Sequence, residues 1–290
     1  MPTVTPELST AGRHPRAGHV VLLSGLGLIA AAALWLVITG NSNIRYSADH
    51  EGTVPMWARW LPALVAIAVI RLVPRAPDPR WPDPPAPYRE AVPLLCAAIA
   101  FAAIMPLLDG EPAYTLLKLA LLLGVPAAVF VVVRRRPRWH PGPAPADAAH
   151  RFGPAVPVAV WLVLSYATPL AAPAGDWARG LPLVELIATI LVVFAVNALL
   201  EEFFYRRWLQ TRWESLLGRW PAIVLVSLLW AVWHVAIQGG VRPDIDLATV
   251  IVSHAVTGLF LGYLWSRYRR MWPPLVIHGA LNAMPTLLTL

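Results

Sequence analysis

Two adjacent carboxylates, Glu201 and Glu202, close an apolar run of the chain, and Arg206 follows them. An unpaired charge at a membrane boundary costs on the order of a few kcal/mol. Each carboxylate is therefore expected to have a partner of opposite charge or a functional role. Glu202 and Arg206 are four residues apart on one helix face, whereas Glu201 points about 100° away. The pattern predicts a supporting Glu202–Arg206 ion pair and a Glu201 that is free for chemistry. An ordinary salt bridge at a solvated helix end is the alternative.

Two later apolar segments carry imidazole and amide side chains. His234 stands deep in one segment, and His278 and Asn282 stand four residues apart in the last one. Four-residue spacing stacks His278 and Asn282 on one helix face, and Gly279 between them allows another helix to approach. A polar stripe of this kind indicates that a functional site faces it. The alternative is that the histidines only pack against neighbouring helices. Together these side chains could activate water and stabilise an oxyanion.

Two further embedded polar residues are interpreted as lying outside this site. His254 is expected in the half of the membrane away from the other site residues, as a structural or supporting side chain. Lys118 is the embedded ionisable residue of the front half, and it lies within reach of a span end, where a lysine can extend to the interface. We therefore predict a structural role for Lys118.

The elements that position these residues are predicted to be membrane-spanning helices. Only 13% of the residues are charged and 58% are hydrophobic, against about 25% charged in soluble domains. Apolar stretches of about 17 to 22 residues recur, which is the length of a helix that crosses a bilayer. The fold class is therefore all-α, a polytopic transmembrane bundle of about eight to nine spans with the catalytic site within the last four. The candidate spans are 20–39, 56–73, 91–108, 113–133, 155–172, 182–200, 221–238, 247–265 and 273–289.

The distribution of arginines predicts the orientation in the membrane. The net charge of +7 comes from arginines in alternate loops, and cytoplasmic loops are the ones rich in Arg and Lys. The amino terminus is expected in the cytoplasm and the carboxyl terminus outside, in a multi-pass protein of the plasma membrane. This placement indicates contact with the lipid bilayer and no nucleic-acid partner. Cys96 is the single cysteine, so a disulfide framework is excluded.

Three ordered motifs in about 182–290 resemble a known family. Glu-Glu-x-x-x-Arg is met by Glu201, Glu202 and Arg206, and His-x-x-x-Asn by His278 and Asn282. Phe-x-x-x-His is met at His234 with Trp in place of the usual Phe. The chain thus resembles the CAAX prenyl endopeptidases of the Ras-converting type and their bacterial relatives, the CPBP or Abi family of intramembrane proteases.

Two proline-rich linkers divide the chain into two regions, and the resemblance implies a role for the second region and an activity. Residues 1–150 would form amino-terminal transmembrane helices with proline-rich cytoplasmic linkers at 74–87 and 137–145, and 151–290 the protease core. The activity would be cleavage of a membrane-anchored peptide or protein by water. Glu201 would act as base with His234, while His278 and Asn282 would hold the oxyanion and Glu202 and Arg206 would support the site. A metal-free site is favoured, with zinc held by one Glu and two His as the alternative.

Two other function classes remain open from the sequence. A non-catalytic membrane scaffold or a bacteriocin-immunity-type protein could keep the fold and the polar cluster. A transporter could use intramembrane Glu and His as a relay, but it would be expected to carry charged residues in the front spans as well. For the protease, we expect a cavity that opens to the cytoplasmic leaflet, with an amphipathic segment 208–220 in the interface leading into the seventh span.

Overall fold

Apolar helices make up nearly all of the described chain, because a backbone in lipid must satisfy its polar groups within each segment. A computed structural model describes residues 15–45, 52–73, 87–108, 110–133, 152–170, 180–240 and 242–287. The linker 137–145 and the predicted boundary at 150 lie outside these residues, as does 74–86 of the other linker. The helices are α1 Pro15–Ile38, α2 Met56–Leu72, α3 Pro87–Ile104, α4 Ala113–Val133, α5 Ala155–Tyr166, α6 Leu183–Leu217, α7 Arg219–Val232, α8 Val235–Gln238, α9 Pro243–Tyr268 and α10 Trp272–Leu287.

The all-α membrane fold is confirmed. Each of the nine predicted spans overlaps a helix, with both α7 and α8 in 221–238, and six helical segments in the described ranges are long and apolar enough to cross a membrane. The other three, α2, α5 and α10, are helices of 17, 12 and 16 residues. A two-stranded antiparallel hairpin, Asn43–Arg45 with Thr53–Pro55, joins α1 to α2. Its Ile44 is buried beside Ala32, Leu36 and Val252.

Helix α6 is much longer than the predicted span 182–200. It continues for 35 residues to Leu217, so the motif glutamates stand near its middle and not at its end. No Gly or Pro interrupts it, and it stops at Gly218, whose φ of +92° suits a residue without a Cβ. The segment 208–217, predicted to lie apart in the interface, is therefore part of α6. Helix α7 begins directly after Gly218 at Arg219.

Small residues bring the helices that carry the site into close contact. A Cβ on Gly258 of α9 would lie 2.8 Å from the Cβ of Ser227 on α7, which real structures do not tolerate. A Cβ on Gly279 of α10 would lie 3.0 Å from the ring of Phe194 on α6. The helix contact predicted at Gly279 is thus confirmed. It places the face of α10 that carries His278 against the side of α6 that carries the glutamates.

Four π-helical segments lie beside residues of the polar cluster. They are Ala120–Gly124, Phe194–Leu199, Glu202–Gln210 and Ile251–Ala255. Insertions of this kind within α-helices are frequent at functional sites, because they turn side chains off the regular helical register. Here Lys118 precedes the first segment and His254 belongs to the last.

Candidate active site

Glu201 is buried and both of its oxygens have partners. Lys118 Nζ lies 2.5 Å from Oε1, and the indole nitrogen of Trp230 donates to Oε2 at 2.6 Å. The carboxylate is 1% exposed. The prediction that Glu201 is free is therefore wrong. The Trp that stands in place of the family's Phe therefore adds a hydrogen bond that Phe could not make.

Lys118 contacts Glu201 directly, and the expectation that it extends to the interface outside the site is wrong. Its side chain is fully buried and does not extend to the interface. Besides Glu201, its Nζ donates to Asn197 Oδ1 at 2.6 Å and to the hydroxyl oxygen of Tyr114 at 2.5 Å. The signal in the sequence was its isolation, because an embedded cation in an apolar span requires a partner that its own helix lacks.

Glu202 joins two motifs. Arg206 Nε donates to its Oε2 at 3.3 Å, which confirms the predicted i, i+4 pair. His278 Nδ1 lies 2.8 Å from its Oε1. Arg206 is fully buried and its guanidinium lies over the ring of Trp230, 5.4 Å from the centroid. Glu202 thus orients His278 as well as bracing the helix.

His278 and Asn282 face the same space from α10, as their spacing predicts. Since His278 Nδ1 bonds the Glu202 carboxylate, its Nε2 is directed at Glu201, with 3.9 Å between Nε2 and Glu201 Oε2. A water molecule could contact both atoms at about 2.8 Å. The amide Nδ2 of Asn282 is buried and has no hydrogen-bond partner among the described residues. It is a donor available to a ligand.

His234 and His254 stack on each other with ring centroids 3.9 Å apart. His234 Nδ1 lies 2.8 Å from the carbonyl of Trp230, so Nδ1 carries the proton and Nε2 of the neutral ring is an acceptor. Helix α7 ends at Val232 and a turn places His234 before α8. The expectation that His254 lies away from the site is wrong, because it lines the same cavity.

These groups lie around one cavity of about 400 Å³. Glu201, Trp230, His234, His278 and Asn282 all line it, and His254 adds to its wall. The lining also includes Leu108, Gly110 and Glu111 of the connection between α3 and α4, and Ala236, Ile237 and Gln238 of α8, the short helix in the connection between α7 and α9. Arg59 of α2 lines it too. These connections lie at the arginine-poor end of the bundle. This lining lies nearer that end than the arginine-rich end, toward which the opening is expected from the sequence.

The donor set does not fit a zinc ion. In the described ranges, no group of three or more His, Cys, Asp or Glu side chains is arranged to hold a metal. Glu201 is engaged by Lys118 and Trp230, and a cation this close would repel a metal ion. No catalytic step is therefore derived through zinc.

Comparison with known proteins agrees with the motifs. A family model described as type II CAAX prenyl endopeptidase, Rce1-like, matches residues 183–284. No curated protein and no solved structure matches the chain significantly. The matched segment contains all six residues of the predicted site, whereas Lys118 lies outside it. The match supports the family predicted from the three motifs, and residues 183–284 are the part of the chain that is similar to the Rce1-like type II CAAX prenyl endopeptidase model.

Proposed function

We propose that this protein is an intramembrane endopeptidase that hydrolyses a peptide bond of a membrane-associated substrate with water activated by Glu201. The observation that carries the proposal is the 3.9 Å gap between Glu201 Oε2 and His278 Nε2 at the wall of the cavity. A carboxylate and an imidazole at this separation can hold one water molecule against a substrate carbonyl. No Ser or Cys nucleophile is needed.

The groups that surround this water molecule carry out the proton transfers. Glu201 takes a proton from the water as the water oxygen attacks the carbonyl carbon, and the carbonyl becomes an oxyanion. When the C–N bond breaks, Glu201 returns that proton to the leaving amine. The unprotonated Nε2 of His234, fixed by the bond from Nδ1 to the Trp230 carbonyl, accepts a hydrogen bond from water in the same cavity.

The oxyanion is held from α10. The amide Nδ2 of Asn282 has no other partner in the described part of the chain, and His278 donates from Nε2 when it is protonated. The Glu202 carboxylate at Nδ1 fixes the orientation of the ring. Donors placed where charge develops contribute about 3 to 4 kcal/mol each to lowering the barrier in other enzymes.

Lys118 and Trp230 are positioning residues in this scheme. Each binds one oxygen of Glu201, so the carboxyl group is fixed in orientation. The ionised carboxylate is the form of Glu201 that accepts a proton. One lone pair on Oε2 is left for water.

The proposal is tested by comparing membrane peptides from cells that express the wild type with those from cells that express Glu201→Gln. Peptides that end at new cleavage sites should be present for the wild type and absent for the variant, at equal amounts of membrane protein. Identical peptide sets would contradict protease activity. A transporter would instead move solute without cleavage, and a scaffold would leave both sets equal.

We also propose that catalysis needs no metal. Cleavage by the purified protein should be unchanged after treatment with a strong zinc chelator, because the carboxylate that would bind zinc is already paired with Lys118. The measurement is the cleavage rate before and after chelation and again after zinc is restored. Loss on chelation with recovery on zinc addition would contradict the metal-free scheme.

A further inference from the structure

The two ends of the bundle differ in charge, and specific contacts tie together the helix termini at one of them. Arg212 of α6 bonds Glu90 of α3 at 2.7 Å. Arg269, just past α9, pairs with Glu214 of α6. Arg71 of α2 lies over the ring of Trp220 at the start of α7. This end, which we name the arginine-rich end, also carries Arg89, Arg207, Arg219, Arg267 and Arg270.

The opposite end carries fewer arginines, namely Arg45, Arg59 and Arg242, together with acids. The Trp35 indole nitrogen near the end of α1 donates to Asp244 Oδ2 at the start of α9. Asp246 accepts a hydrogen bond from the backbone of Gly240, and Glu111 lies in the connection between α3 and α4. We name this the acidic end.

The cavity reaches the acidic end and is closed toward the arginine-rich end. Its lining includes Gly110 and Glu111 of the connection between α3 and α4, Ile237 of α8 and Arg59 near the start of α2, all at the acidic end. Within the described chain, no residue from 202 to 229 lines it. Glu202 and Arg206 lie on that side and are 1% and 0% exposed. Together with Trp230 they fill the space between the cavity and the arginine-rich end.

We propose that the cavity opens to the extracytoplasmic side of the membrane and admits a chain from that side. Helix ends rich in arginine stay in the cytoplasm, so the acidic end faces outward. Since the Glu202–Arg206 layer blocks the other route, the scissile bond must enter past Glu111 and Ile237. The substrate class, which rests on the proposed protease function, is a membrane-anchored or exported polypeptide with an extended segment at the outer leaflet.

Single cysteines test the orientation without any catalysis. Cys96 is replaced by Ser, and one cysteine is placed at Gly240 at the acidic end or at Arg89 at the arginine-rich end, both exposed positions. A Cβ at Gly240 makes only an ordinary contact with Asp246. A membrane-impermeant maleimide should label Gly240→Cys in right-side-out vesicles and Arg89→Cys only in inside-out vesicles. An Ile237→Cys variant should label from the same side as Gly240→Cys.

The labelling pattern decides the proposal. Labelling of Gly240→Cys or Ile237→Cys only in inside-out vesicles would overturn it, as would labelling of Arg89→Cys in right-side-out vesicles. Detergent-solubilised protein serves as the control that each cysteine can react.

The substrate class is tested separately by the peptides that disappear in Glu201→Gln cells. Their cleavage sites should map to extracytoplasmic segments, and cytoplasmic sites would overturn the inference. If no peptide disappears, the proposed protease function fails and the substrate class with it, while the labelling still decides which side the cavity faces.

Discussion

The segment 183–284 and helix α4 contribute to the same site in different ways. The segment supplies every motif residue, from Glu201 to Asn282, on three helices and a turn. Helix α4 supplies Lys118, the cation that contacts Glu201 directly. The family segment by itself would leave the Oε1 of a buried carboxylate without that partner. The front half of the chain is therefore part of the site and not only a membrane anchor.

The largest effect is expected within the family segment. Glu201→Gln keeps the shape and one acceptor oxygen but cannot accept the proton, so kcat should fall by about 10² to 10⁴-fold. The measurement is single-turnover cleavage by the purified variant, using a peptide identified by the membrane comparison. A variant that cleaves at the wild-type rate would remove Glu201 from the role of base.

Replacing Lys118 should show how strongly α4 is coupled to the segment. Lys118→Met leaves Glu201 as an unpaired buried charge, which costs about 3 to 5 kcal/mol of the free energy of unfolding. Adding Glu201→Gln removes that charge, so the double variant should regain most of the stability. Thermal unfolding in detergent measures both. Additive losses in the double variant would contradict a direct pair.

The catalytic readout of the same pair uses the conservative change. Lys118→Arg keeps a cation near Glu201 and should retain more activity than Lys118→Met at equal folded protein, with the loss in kcat and not in KM. Equal activity of the two variants would show that the charge of Lys118 does not assist the reaction.

The sequence predicts the contacts within the segment better than the contact between the segment and α4, and the reason is physical. Local spacing determines which residues share a helix face, so Glu202–Arg206 and His278 with Asn282 were placed correctly. The contact between Lys118 and Glu201 joins residues 83 apart in the chain, and no local pattern encodes which helices pack together. The length of α6 was missed because paired charges were interpreted as the end of a span, although their partners keep them within the bundle.

A smaller effect is expected at Trp230, where this chain departs from the family motif. Trp230→Phe restores the usual residue and keeps an aromatic ring among the three imidazoles, but it removes the donor to Glu201 Oε2. A hydrogen bond to a charged group contributes about 1.5 to 3 kcal/mol, so a loss of about ten- to a hundredfold in kcat is expected. Unchanged kcat would show that Lys118 alone positions the carboxylate.

The smallest effect is expected at Tyr114, whose hydroxyl contacts Lys118. Tyr114→Phe removes one of the oxygens that accept from Lys118 Nζ, while Asn197 and Glu201 remain bound to it. A single bond of this kind is worth about 1.5 to 3 kcal/mol when the donor is charged, and the two remaining acceptors compensate part of it. We expect Tyr114→Phe to lower kcat less than Lys118→Met does, with KM unchanged, in the same single-turnover assay. If Tyr114→Phe were as damaging as Lys118→Met, the phenol and not the ammonium would be the essential contribution of α4, because that variant leaves the cation in place beside Glu201.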